Sequence, residues 1–219
     1  MPRVSQQYKD RQRAEILDAA RRCFVRNGFH RTSMQDVFAE AGRSAGAVYR
    51  YFSSKDDMIL AVASQNLTDV TEALRSALRS GDGEADPGDA MATLLDEVAA
   101  RHANDQLATV ALMVWSEALR NPALADRLRE ASAAMTGDLA DLVRKRQAAG
   151  ELPGARAEAL AQVILSILPG YLLNLALLDP TGPDTFSDTL RTLWPSGRKA
   201  GEDRASPPPA TSPKSIRRA

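Results

Sequence analysis

Cysteine occurs once in this chain, at Cys23, and histidine only twice, at His30 and His102. A single thiol closes no internal disulfide, which suits a reducing, cytoplasmic compartment. With so few soft ligands there is no Cys/His set at zinc spacing and no Glu-x-x-His pair of the di-iron kind. Acidic residues are scattered along solvated faces. No catalytic residue, metal or cofactor is therefore assigned. Strand-forming residues are sparse while Ala, Leu and Arg abound, which points to an all-α chain. The first fifteen residues, MPRVSQQYKDRQRAE, are charged throughout and lack the apolar run of a secretory signal.

At 219 residues and 44% hydrophobic, the chain has enough apolar surface for one domain or two small ones. The formal net charge is zero, but it is unevenly spread. Residues 1–58 carry roughly +4, residues 59–195 roughly −8 and residues 196–219 roughly +4. A basic head on an acidic body suggests a polyanionic partner at the head alone.

The helix punctuation is legible. A first helix runs from about Tyr8 to Asn27, with Ile16, Leu17, Ala20, Cys23 and Phe24 on one face and Gly28 as C-terminal cap. Thr32 or Ser33 opens a second helix, with Gln35 and Asp36 placed for a capping box, and Gly42 stops it after about two turns. Ser44 begins a third helix two residues later, giving a helix-turn-helix. Ser54 caps a fourth that continues to about Ser80. Asp86-Pro87 and Asn121-Pro122 each open a further helix, of about 87–103 and 122–149, with another at 106–120 between them. The pattern closes with helices at about 155–178 and 184–194, then a Pro-rich basic tail, 196–219, that buries no apolar area and is expected to be disordered.

On the third helix, Ala45, Gly46, Tyr49 and Arg50 share one face, and Val48 and Phe52 lie opposite, where they pack against helices one and two. The free face is thus slim at its start, and a helix N-terminus offers N–H groups to phosphate. Arg50 carries the only charge on the helix, suited to guanine or phosphate, and Tyr49 and Tyr51 bring hydroxyls. This reads as entry into the DNA major groove. The competing reading is a solvent-facing helical hairpin with aromatics in the core.

Residues 12–58, through "ILDAARRCFVRNGFHRTSMQDVFAEAG", "SAGAVYRYF" and "SKDDM", resemble the DNA-binding domain of the tetracycline-repressor (TetR) family of bacterial regulators. The resemblance implies an N-terminal three-helix DNA-binding domain at 8–58 and a helical ligand-binding and dimerisation domain at 59–195. It places phosphate contacts on Thr32, Ser33, Tyr49, Tyr51 and Lys55, and groove-facing positions on Ser44, Ala45, Gly46 and Arg50. Arg43 stands where the family usually has a small aliphatic residue, and is expected to add a base or phosphate contact. Ala45 replaces a longer residue and is expected to read little beyond a thymine methyl. The implied partners are double-stranded operator DNA, a second copy of the chain and a small-molecule effector, at the nucleoid of the cytoplasm.

In the body, residues 159–178 hold no charge over 20 positions, a length that permits a membrane span. Gln162, Ser166, Gly170 and Asn174 recur every four residues, however, and no basic cluster flanks the segment, which favours a helix buried in a dimer core. The family resemblance implies that the last two helices pair with their copies. Ile164, Leu168, Tyr171, Leu172, Leu175, Phe186, Leu190 and Trp194 are the expected anchors. It also implies an effector cavity, for which His102, Met113, Trp115, Leu119 and Met135 are candidates against ordinary core packing. Cys23 reads as core or as a redox sensor, and His30 as a surface residue or a phosphate contact.

Overall fold

Proline and capping side chains set the helix starts. In the computed structural model, Asp86 accepts the Asp89 N–H at 2.8 Å and Asn121 the Leu124 N–H at 3.3 Å, each immediately before a proline in the first turn. The structure describes residues 6–79, 86–152, 154–178 and 185–193, and every regular element among them is helical. These are α1 (Gln6–Asn27), α2 (Met34–Ala41), α3 (Ala45–Tyr49), α4 (Lys55–Arg79), α5 (Pro87–Asp105), α6 (Leu107–Ala118), α7 (Pro122–Ala148), α8 (Ala157–Leu165), α9 (Ile167–Leu173) and α10 (Phe186–Leu193). Residues 80–85, Asp179-Pro180, Trp194 and the tail at 196–219 lie outside the described residues.

The expected helix over 155–178 spans Ala157–Leu178 as one run, interrupted at a single turn residue. It breaks at Ser166, and a π-helical stretch, Asn174–Leu178, follows α9. Pro169 is the cause of the break: it has no N–H and its ring crowds the carbonyl of the preceding turn, so it sits in the first turn of a restarted helix. The whole run, Ala157–Leu178, is long and apolar enough to cross a bilayer by length and composition, but a third of its most apolar window is buried within the protein.

Two apolar cores result. The first joins α1–α4 through Ile16, Phe24, Val37, Val48, Phe52 and Met58, and it also takes Val110 and Val114 from α6 and Leu124 from α7. The second lies among α4–α10, around Leu74, Leu95, Leu139, Ile164 and Tyr171. α4 contributes to both, Met58 to Ala63 at one end and Val70 to Ala77 at the other. The head therefore has no clean packing boundary at residue 58.

The α5–α6 junction is a single residue, Gln106, in the left-handed region at φ +56°. No glycine marks it. His102 makes it possible: the ring is buried, and its Nδ1 accepts the Ala108 N–H at 3.2 Å, replacing an acceptor the broken helix lacks. Burial pushes the imidazole below its ordinary value of 6.5, opposed by a hydrogen bond with the Leu175 backbone. The neutral ring's contribution to stability is then complete above about pH 6.5 and is lost as pH falls through the lower folded-state value. Thermal unfolding should show a Tm that drops from neutral toward pH 5, before the low-lying carboxylates Asp36 and Glu40 protonate. His102→Asn should cost about 1–3 kcal/mol at neutral pH and flatten that slope. An unchanged slope in the variant would remove His102 as its cause.

Candidate nucleic-acid interface

The two short helices of the head, α2 and α3, each begin at a side-chain cap. Ser33 caps α2: its hydroxyl accepts the Asp36 N–H at 3.2 Å, while the Asp36 carboxylate accepts the Ser33 N–H at 2.8 Å. Those Ser33 hydrogen bonds, backbone first, hold the Asp36 carboxyl below its ordinary value. Gly42, at φ +60°, turns the chain out of α2, a conformation that a side chain would strain. The Ser44 hydroxyl then accepts the Ala47 N–H and starts α3. Val48 and Phe52 are buried beneath this helix, as their spacing predicts.

What remains outside is a slim, polar face. Ser44, Ala45, Gly46, Tyr49 and Arg50 are exposed, with open space where a Gly46 side chain would project. Tyr49 is 50% exposed, its ring set edge-on against Phe38 of α2 at 5.5 Å, which holds it upright without hiding it. Tyr51 is half-buried. The Arg50 guanidinium makes no hydrogen bond or ion pair among the described residues. Lys55 donates from Nζ to the Thr32 carbonyl at 3.1 Å and the His30 carbonyl at 3.3 Å, binding the start of α4 to the α1–α2 turn. Ser33 is exposed beside it.

Two expected contacts are placed otherwise. Thr32 is 1% exposed, and its hydroxyl donates to the Gly28 carbonyl at 2.8 Å and the Cys23 carbonyl at 3.2 Å. It ties the α1–α2 turn back to the last turn of α1 and is turned from the surface, where the Gly28 carbonyl also accepts the Thr32 N–H at 3.3 Å. Arg43 is occupied by Glu15 of α1 at 2.7 Å, so any contact with DNA competes with that pair. Arg31, which sequence spacing did not single out, is exposed on the same turn without an ion pair among the described residues. Its flanking histidine and threonine draw no periodic pattern. Cys23 is fully buried and its thiol pushed up, chiefly by desolvation, which suits packing and opposes a reactive thiolate. His30 is exposed, and its Nε2 lies 3.1 Å from the Glu117 carboxylate of α6.

In the body, a cavity of about 300 Å³ opens between α4, α6, α7, α8 and α9. Of the five candidates, Trp115 and Met135 line it. The other three candidates do not. His102 is committed to the α5–α6 junction, Met113 packs on the head core, and Leu119 is exposed past the end of α6. Asn66 of α4 does line the cavity. The signal for it was present: a lone amide four residues from both Val62 and Val70 on the buried stripe.

Most of the expected dimer anchors pack inside their own chain. Ile164, Leu168, Tyr171, Leu172, Leu175 and Leu190 are buried in their own chain's core, with Phe186 packed on Tyr171 at 5.2 Å. The largest apolar side chains go where the core is thickest. The opposite face is the exposed one: Val163 (68%), Ser166, Gly170, Leu173 and Leu177 (67%) form an outward stripe.

A slim helix presented beyond a short one by a glycine turn, on an otherwise helical body, defines the class: a helix-turn-helix DNA-binding regulator. Comparison with known proteins agrees. The family model "Bacterial regulatory proteins, tetR family" matches residues 16–62, and "BetI-type transcriptional repressor, C-terminal" matches residues 87–194. The chain is 31% identical over 186 residues to the HTH-type transcriptional regulator YfiR of Bacillus subtilis, covering 84% of this chain and 89% of that one. Among solved structures, Salmonella enterica GusR superposes with a TM-score of 0.67 at 25% identity, over 88% of this chain and 97% of that one. Bacillus subtilis FadR in complex with stearoyl-CoA shares the fold, with a TM-score of 0.69 at 20% identity, over 84% and 98%. The chain belongs to the TetR family of bacterial transcriptional regulators.

Replacing Thr32 by valine keeps its shape and removes its donor. Urea unfolding should show a loss of about 0.5–1.5 kcal/mol from the missing hydroxyl hydrogen bond. Lower DNA affinity at unchanged stability would instead return the hydroxyl to a phosphate contact.

Proposed function

We propose that this regulator is a ligand-responsive repressor that binds a palindromic operator as a homodimer, with residues 8–58 as reading head and 59–195 as regulatory body. One observation carries the reading: α3 keeps its bulk underneath and leaves Ala45, Gly46, Tyr49 and an unpaired Arg50 on its free face. Small residues let the backbone approach a groove floor. Arg50 supplies base selection there, while Ser33, Tyr49, Tyr51 and Lys55 position the head on the phosphates. Arg43 adds a contact only after leaving Glu15.

The outward stripe on α8, α9 and the π-helical stretch supports the dimer. Val163, Leu173 and Leu177 give it apolar area, and Ser166 and Gly170 let a second helix come close. Two heads related by a twofold axis would meet half-sites about one DNA turn apart. The cavity beside α4 supports effector control, because α4 is shared by both cores and a ligand bound there acts on the head's support.

Oligonucleotides selected from a random pool should yield an inverted repeat bound at least about a thousandfold more tightly than random DNA at physiological salt. Arg50→Ala should relax base preference at one position per half-site, at about 1–3 kcal/mol, whereas Lys55→Ala should weaken all DNA alike and reduce the salt slope by about one. Selection that enriches no sequence would refute the assignment. The pair Val163→Glu and Leu177→Glu should sediment as a monomer and lose operator binding with helix content retained. A dimer surviving both changes would move the interface elsewhere.

A further inference from the structure

We infer that the effector is a neutral, largely apolar molecule that presents one hydroxyl or N–H donor to the side-chain oxygen of Asn66. This deepens the effector reading above and rests on it. Twelve residues line the cavity and none is charged. Apart from Asn66 and Ser132 they are Leu, Val, Ala, Pro, Met and Trp, and at about 300 Å³ the space is at the small end of ligand pockets, about 300–1,000 Å³. A buried carboxylate or ammonium would find no counter-charge there, and an ion taken out of water without one is strongly disfavoured.

Asn66 supplies the specific feature. It is 2% exposed, and its Nδ2 donates to the Leu107 carbonyl at the start of α6, at 3.0 Å. A carbonyl only accepts, so this bond fixes which way the amide faces. The oxygen Oδ1 has no protein partner among the described residues and is not sealed from water, and Asn66 is a lining residue of the cavity. An acceptor in an apolar chamber selects a donor, because a ligand without one leaves the acceptor buried and unpaired. Ser132 is exposed, as is Pro169, so they mark the opening. A donor seated on Asn66 bears on α4 directly and on α6 through Leu107. Both helices feed side chains into the head core, Val62 from one and Val110 and Val114 from the other.

Three probes with one frame test this on the full-length protein by calorimetry: 4-phenylphenol, 4-methoxybiphenyl and biphenyl-4-carboxylate. The phenol should bind, the ether at least about tenfold more weakly for want of a donor, and the carboxylate with no measurable heat at the same concentrations. Asn66→Leu should bring phenol and ether to equal affinity. If that variant fails to fold, the native protein's ranking of the three still decides. A carboxylate that binds as well as the phenol, equal binding of phenol and ether, or no binding by any probe overturns the inference. Operator release measured alongside separates the two readings. Release by the carboxylate keeps the effector reading and discards this ligand class. The expected ranking without any release keeps the ligand class and discards the effector reading.

Discussion

One helix has to satisfy two cores at once. α4 enters the head core with Met58, Ile59, Val62 and Ala63, and the body core with Val70, Ala73, Leu74 and Ala77. Its buried stripe is continuous, so neither end shifts without moving side chains that the other end packs. The polar links reinforce this. Asp69 of α4 faces Arg101 of α5 at 3.5 Å and Arg21 of α1 at 3.9 Å, bringing head and body charges to one carboxylate. Lys55 fastens the first turn of α4 to the α1–α2 loop. A change in how α4 sits in the body is thereby a change in how the head is held.

Within the head, the charges divide into those spent on structure and those left over. Glu40 takes Arg22 and Arg26 together, and those bonds, Arg22 first, hold its carboxyl low. Arg43 pairs with Glu15, and Arg13 lies over the Phe52 ring at 4.9 Å. Among the described residues, Arg50 and Arg31 are not drawn into such pairs. An unpaired guanidinium costs nothing at a wet surface, and it is the group free to exchange water for phosphate or a base edge. The basic character of the head is therefore concentrated, in effect, on few side chains.

The body shows the complementary economy. Its cavity is lined without charge, with the amide of Asn66 buried among mostly apolar neighbours. The same residue braces the start of α6, just past the left-handed turn at Gln106 that His102 supports. The cavity wall and the helix junction are thus joined through the Asn66–Leu107 hydrogen bond, one residue from the Ala108 N–H that His102 accepts.

Sequence alone determined the helices, their caps and the face that α3 hides, because these depend on neighbours three or four residues away. Ser33 with Asp36, Gly42, Ser44 and Asp86-Pro87 act within a single turn, and the Val48–Phe52 spacing is a property of any α-helix. The Asn66 cavity, the withdrawal of Thr32, the Arg43–Glu15 pair and the side of α8 and α9 left outward were decided only by tertiary structure. Periodicity states that Ile164, Leu168 and Leu175 lie together, and is silent on whether their partner is the same chain or another. Hydrophobic attraction has no direction, so large side chains go to the deepest apolar volume on offer, and that volume exists only once distant helices have met.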